Sequence, residues 1–125
     1  MGLPPTKMSQ VSAQSLAPSL QKELYSTFFQ LLADLSTSKE SERFSKDFFG
    51  QTELSVFAKR IAIAIFLDKG HSYEHIRRNL KVSTATISSV AEHMESEGYQ
   101  MALQKVKAER WAGDLSSKLV RMFGK

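Results

Sequence analysis

The sequence contains no cysteine, which excludes disulfides and thiolate metal sites and favours the cytoplasm as its compartment. It also has no long apolar run, because the longest, Ile61–Leu67, is far too short to cross a bilayer. Met1–Leu20 lacks the sustained apolar stretch of a secretory leader. No phosphate loop, dinucleotide fingerprint or metalloprotease helix is present, so we expect neither an enzyme nor a bound cofactor.

Proline is scarce and confined to one end of the chain, at positions 4, 5 and 18. We therefore interpret residues 1–17 as a flexible arm, 18–112 as one helical domain and 113–125 as an amphipathic helix. No alternation typical of a strand is found, so the expected fold class is all-α with about six to seven helices. The last helix would carry its apolar side chains at Leu115, Leu119, Met122 and Phe123.

The helix boundaries are predicted from caps and breakers. A capping box at Thr37–Glu40 starts the second helix, and Thr52 is the expected N-cap of a long third helix that Gly70 stops. Glu97-Gly98 is expected to break the chain before a helix that runs to about Trp111. The third helix is predicted to turn these side chains to the core: Leu54, Phe57, Ala58, Ile61, Ala62, Ile65 and Phe66.

The first helix, Leu20–Leu35, has more apolar surface than one contact needs. A chain this short has difficulty in covering so many aromatic and leucine side chains by itself. We therefore expect a homodimer, and the alternative is a compact monomer with this helix at its centre. The expected dimer interface contains Leu24, Phe28, Leu31 and Phe48.

Residues 72–95 show the spacing of a helix-turn-helix. Ile76 and Leu80 form one stripe, Val82 fills the turn, and Ser72 and Ser83 are the expected N-caps of the two helices. The second helix carries its own apolar stripe at Ile87, Val90, Ala91 and Met94. The second helix of such a motif enters the major groove of double-stranded DNA, which is therefore the expected partner.

Charge alone does not identify the partner. The net charge of +4 suits a polyanion, but within 71–95 three cations are balanced by Glu74, Glu92 and Glu95. Those cations, Arg77, Arg78 and Lys81, are candidates for phosphate contacts, as are Ser83 and Thr84 at the start of the second helix. The alternative for the three cations is an ordinary solvated face.

The face of the second helix opposite its apolar stripe is the candidate reading surface for bases. It contains Ala85, Ser88, Ser89 and Glu92. His71 and His75 have no identifiable third ligand, so no metal site is expected. His93 lies four residues after Ser89, but no carboxylate orients it for nucleophilic catalysis.

Three segments of the chain resemble one known family. FAKRIAIAIFLDKG (57–70), SYEHIRRNLKVSTATIS (72–88) and GYQMALQKV (98–106) are similar to the Trp-repressor superfamily, specifically its YerC/YecD-like branch. The resemblance implies an intertwined helical dimer, in which the first helices wrap the partner, and sequence-specific operator binding. It also implies two arginines that grip tryptophan, but Ala62 and Ser89 occupy those positions, and Arg60 lies on a different side of the helix. Tryptophan is therefore not expected as a ligand, although an arginine at position 89 is usual in this branch.

Two functions remain open from the sequence. The first is a cytoplasmic, nucleoid-associated transcriptional regulator that does not respond to tryptophan and whose effector is unknown. The second is a dimeric helical protein-interaction module in which DNA readout has degraded; Ser89, Glu92 and the neutral charge of 71–95 favour it.

Overall fold

The computed structural model describes residues 15–108 together with Lys118 and Arg121. In this part of the chain the backbone forms six α-helices and no strand, which confirms the predicted all-α class. The helices are α1 (Pro18–Asp34), α2 (Ser38–Phe48), α3 (Gln51–Asp68), α4 (Tyr73–Leu80), α5 (Thr84–His93) and α6 (Glu97–Ala108). The predicted arm up to residue 14, Trp111 and the apolar positions of the predicted C-terminal helix lie outside the described residues.

The chain divides into two compact units, and the division falls between Leu54 and Ser55, inside α3. In the first unit, none of the described side chains is buried. Neighbouring aromatic rings contact one another along the chain instead. The ring centroids of Phe28 and Phe29 lie 5.8 Å apart, and Phe44 stacks on Phe48 with a centroid distance of 4.7 Å. The four residues of the expected dimer interface are all exposed, and Phe48 is the most exposed at 74%.

The start of α2 follows from its sequence, with one difference in detail. The Thr37 hydroxyl accepts a hydrogen bond from the Glu40 backbone N–H at 3.0 Å, as the capping box predicts. The Glu40 carboxylate, however, accepts at 2.9 and 3.1 Å from the backbone N–H and hydroxyl of Ser36, one residue before the cap. These two hydrogen bonds hold the pKa of Glu40 below its usual value.

The prediction that Thr52 caps α3 is wrong. The helix begins at Gln51, two residues earlier than a Thr52 cap predicts, and Thr52 lies within its first turn. The backbone N–H of Gly50, the residue before the helix, donates to Glu53 Oε1 at 2.8 Å, so the Glu53 carboxylate satisfies this donor.

The end of α3 agrees with the prediction that Gly70 stops it. Gly70 has a left-handed backbone, with φ at 87°, and its N–H donates to the Leu67 carbonyl. The His71 N–H donates to the Phe66 carbonyl, which completes a Schellman motif. This turn redirects the chain into α4.

The core of the second unit is small and entirely apolar. Four consecutive residues of α3, from Ile63 to Phe66, are buried together with Ile76, Ile87, Val90 and Leu103. The prediction that Phe57, Ala58 and Ile61 face the core is wrong, since all three are exposed. The helix is apolar on nearly every side here, so the sequence pattern does not distinguish its covered face from its open one.

The beginning of α6 also differs from the prediction. Glu97 and Gly98 lie in its first turn, and the break falls at Met94–Ser96 instead. The Gln100 side-chain amide donates to the Met94 carbonyl at 2.6 Å, and its backbone N–H donates to the Ser96 carbonyl. At the other end of α6, Lys107 pairs with Asp68 of α3 at 2.9 Å.

Candidate nucleic-acid interface

The turn between α4 and α5 is fixed by local hydrogen bonds. Ser72 and Ser83 cap their helices as predicted, accepting from the backbone N–H groups of His75 and Thr86, each at 3.1 Å. Between the helices, Lys81 adopts a left-handed conformation with φ at 57°, and its N–H donates to the Arg77 carbonyl. The turn therefore closes without a glycine.

The two helices are held together by a buried seam. Ile76 of α4 and Ile87 of α5 are completely buried, and Val90 is nearly so. Leu80, Val82 and Met94 pack against this core from the turn and the helix ends, as the spacing predicts. Because residues of α3 and α6 belong to the same core, the orientation of α5 is set by the whole second unit.

The outer face of α5 is small, polar and open. Ala85, Ser88, Ser89 and Glu92 are all exposed. The hydroxyls of Ser88 and Ser89 form no hydrogen bond with another described residue. Small side chains on this face allow the backbone of α5 to approach a ligand closely, and the two hydroxyls provide both donors and acceptors.

The cations of α4 and the turn differ in their surroundings. Arg77 forms a two-point pair with Glu74, with Nε 3.2 Å from Oε1 and Nη2 2.7 Å from Oε2. This hydrogen bond and the charge of Arg77 lower the pKa of Glu74. Arg78 and Lys81 are exposed, and neither forms an ion pair with a described residue.

Two contacts of this motif were not predicted from the sequence. Glu74, which counted there only as a charge, pairs with Arg77, and their spacing of three residues on one helix was the signal for this pair. The Thr86 hydroxyl lies 3.0 Å from that of Ser83. Of the two hydroxyl residues proposed for phosphate contact, Ser83 is thus already engaged in the cap, and Thr84 is exposed in the first turn of α5.

The histidines contact neighbouring rings and the backbone. His71 and His75 stack with their ring centroids 5.2 Å apart, and His71 also packs edge-on against Phe66. The His93 Nδ1 lies 2.8 Å from the backbone carbonyl of Ser89. Among the described residues, no three His, Cys, Asp or Glu side chains are placed to hold a metal ion. None of the described helices has both the length and the apolar character that crossing a membrane requires.

A second feature of this unit is an open apolar groove of about 330 Å³ between α3 and α6. Phe57 and Ile61 form part of its α3 wall, and Tyr99 and Leu103 lie on the α6 side. The Arg60 guanidinium lies 5.7 Å from the centre of the Phe57 ring, so this cation borders the groove.

Two comparisons with known proteins point to the same family. Residues 23–107 match the family described as Trp repressor protein. The uncharacterized protein YerC of Bacillus subtilis (strain 168) is 35% identical over 88 residues, which are 69% of this chain and 84% of YerC. No solved structure matches the chain.

Proposed function

The chain belongs to the Trp repressor family, in its YerC-like branch, and on that premise we propose that it is a DNA-binding transcriptional regulator. The observation that carries the proposal is the exposed face of α5, which two serine caps and a buried seam hold in a fixed orientation. A recognition helix needs such a rigid base, because groove contacts depend on register.

We propose that this face reads base edges in the major groove. The Ser88 and Ser89 hydroxyls suit either a donor or an acceptor, and Ala85 suits a thymine methyl group. Glu92 suits the amino group of cytosine. Since the face has no arginine or lysine for guanine, we expect sequence preference to come from several modest contacts.

Phosphate contacts are assigned to the surrounding groups. Arg78 and Lys81 are the exposed cations without an ion-pair partner among the described residues, whereas Arg77 already donates from Nε and Nη2 to Glu74. Thr84, with the first backbone N–H groups of α5 and the Ser83 cap, forms a short anion-binding end. These contacts position the protein without reading sequence.

The proposed working unit is a cytoplasmic homodimer associated with the nucleoid. Exposed apolar side chains on α1 and α2, including Leu24, Phe28, Leu31 and Phe48, support an interface with a second copy. Two copies also allow two half-sites to be bound together.

We propose that the regulator does not respond to tryptophan. Ala62 and Ser89 provide no guanidinium for the amino-acid carboxylate, and Arg60 is placed over the Phe57 ring. Calorimetry with L-tryptophan at about millimolar concentration should therefore show no binding heat and no rise in melting temperature. Saturable binding at micromolar concentration would contradict the assignment of the site.

The experiment that tests DNA binding is fluorescence polarisation with genomic fragments and a mixed-sequence duplex across a salt series. If Arg78 contacts a phosphate, Arg78→Ala should weaken binding to all sequences alike and flatten the log K versus log salt slope by about 0.9. Ser88→Ala should instead change preference at one base position, by roughly 1–3 kcal/mol. Lys22→Ala, on α1, is the matched control for loss of a remote cation. Binding that none of these changes affects would contradict a DNA interface at this motif.

The second candidate function is a dimeric protein-interaction module. Two observations favour it: the balanced charge of residues 71–95, and the engagement of Arg77 by Glu74. The same salt series separates the two functions, because in an interaction module Arg78→Ala should affect DNA binding no more than Lys22→Ala does.

A further inference from the structure

We propose that Glu74 is a built-in competitor of DNA phosphate for Arg77, and that it lowers the affinity of the motif for DNA of any sequence. The inference rests on the proposed function. It assigns a positioning role to a residue outside both the base-facing and the phosphate-contacting sets.

The geometry of the pair is that of an acceptor occupying a guanidinium fork. Two different nitrogens of Arg77, Nε and Nη2, donate to the two oxygens of Glu74 at 3.2 and 2.7 Å. Arginine binds carboxylate and phosphate through the same paired donors. The carboxylate thus occupies one of the two donor edges with which the guanidinium can engage a phosphate.

The position of the pair places this competition next to the proposed interface. Both residues lie on α4, the helix that crosses the DNA backbone in a helix-turn-helix. Both side chains are largely exposed, at 44% for Arg77 and 59% for Glu74, so the pair is open to exchange with an external anion. Neither of the neighbouring cations, Arg78 and Lys81, forms an ion pair with a described residue.

The pair cannot be a simple acid switch. The hydrogen bond from Arg77 holds the pKa of Glu74 below its usual value. Glu74 therefore stays ionised at neutral pH and competes continuously, and only an anion that reaches Arg77 displaces it.

A structural role for Glu74 makes different predictions. As an acidic residue in the first turn of α4, it favours the helix through the macrodipole. On that account alone, Glu74→Gln would lower thermal stability and leave DNA affinity unchanged. If Glu74 competes with phosphate, Glu74→Gln should instead raise the affinity for DNA, while the melting temperature stays the same or falls.

The experiment is a double-mutant cycle with a fluorescein-labelled, mixed-sequence duplex of about 30 base pairs. Binding of the full chain is measured by polarisation between about 50 and 200 mM salt. The variants are Glu74→Gln, Arg77→Gln and the pair together. Glu95→Gln is the matched control, because Glu95 is exposed in the same motif and no described residue pairs with it.

We expect Glu74→Gln to tighten binding roughly twofold to fivefold, which is the range for release of an exposed ion pair. In the Arg77→Gln background the same change should do no more than Glu95→Gln does. Arg77→Gln should flatten the salt slope by about 0.9 when Gln occupies position 74, and by less when Glu is present.

Two results would contradict the proposed competition, and the experiment distinguishes them. If Glu74→Gln leaves affinity unchanged, or raises it equally with and without Arg77, the competition is overturned while DNA binding stands. If no variant binds the duplex at any salt concentration, the proposed function fails and this inference fails with it.

Discussion

Ser89 shows how much a single side chain limits the reading surface. It lies on the exposed face of α5, and its backbone carbonyl is engaged with the His93 ring at 2.8 Å. Its hydroxyl offers one donor and a short reach. An arginine would offer five donors on a long stem and could engage both acceptors of a guanine.

Replacing Ser89 with arginine should tighten DNA binding and steepen the salt slope by about 0.9, because it adds one cation to the groove face. The measurement is the polarisation salt series used for the native chain. Ser26→Arg, which adds the same side chain to an exposed polar position on α1, is the control for net charge. Unchanged affinity for Ser89→Arg, with no loss on Arg78→Ala, would instead favour the interaction module.

His71 makes stability depend on pH. Its ring packs edge-on against the buried Phe66 and stacks on His75, with ring centroids 4.8 Å and 5.2 Å apart. Burial lowers the pKa of His71 below its ordinary value, and the charges of His75 and Lys69 lower it further. The folded chain therefore favours the neutral ring, so protons bind the unfolded chain first as pH falls.

The contribution of His71 to the free energy of unfolding should be most favourable above about pH 6.5, and it should decrease as the pH falls below that value. Urea unfolding of the native chain at several pH values measures the effect. His71→Gln should show a shallower decrease over the same range, because position 71 then no longer titrates. An identical pH profile for the variant would contradict the assignment to His71.

At the scale of the helices, local signals were predictable and face assignments were not. Ser72, Ser83 and Gly70 were placed correctly because each cap or stop depends on hydrogen bonds within a few residues. The start of α3 was missed because Gly50, which has no capping side chain, precedes the helix, and Glu53 accepts from the Gly50 N–H.

The open side of α3 could not be predicted for a different reason. The prediction placed Ile61 in the core and omitted Ile63, but only Ile63 is buried. The sequence of α3 is apolar on nearly every side, so its periodicity does not identify the buried face. The pairing of Glu74 with Arg77 followed a known helical spacing, but its importance depends on the proposed interface. Helix positions are thus a local property of this chain, and the exposed surfaces depend on its tertiary packing.

The turn between α4 and α5 provides a test at this scale. Lys81 is the sole described residue other than glycine with a positive φ, at 57°. A side chain in this conformation is strained, and glycine adopts it without steric cost. Lys81→Gly should therefore raise the free energy of unfolding by about 1 kcal/mol, as measured by urea denaturation.

The same variant should weaken DNA binding. It removes a proposed phosphate contact, so the salt slope should flatten by about 0.9. Lys81→Gln separates the two effects, because glutamine lacks the charge but, unlike glycine, does not relieve the strain of the left-handed backbone. A variant that is stabilised and binds DNA as tightly as the native chain would exclude Lys81 from the interface.

At the scale of the whole molecule, exposed apolar surface is the feature that a single chain leaves unexplained. In the first unit, α1 presents Leu24, Tyr25 and Phe29 with more than half of each side chain's reference surface exposed. In the second unit, the groove between α3 and α6 leaves Ile61 exposed at 52%. Exposed apolar side chains in such number are typical of a protein that buries them against a partner.

We therefore expect the native chain to sediment as a homodimer at micromolar concentration. Phe28→Asp should place an unpaired charge in the interface and give a monomer or an insoluble chain, since burying an isolated carboxylate is strongly unfavourable. Ile61→Asp should have the same effect if the groove is covered by the second copy. Ser26→Asp adds the same charge at an exposed polar position of α1 and should stay dimeric. A native chain that sediments as a stable monomer would reject the dimer, and a dimeric Ile61→Asp variant would restrict the interface to the first unit.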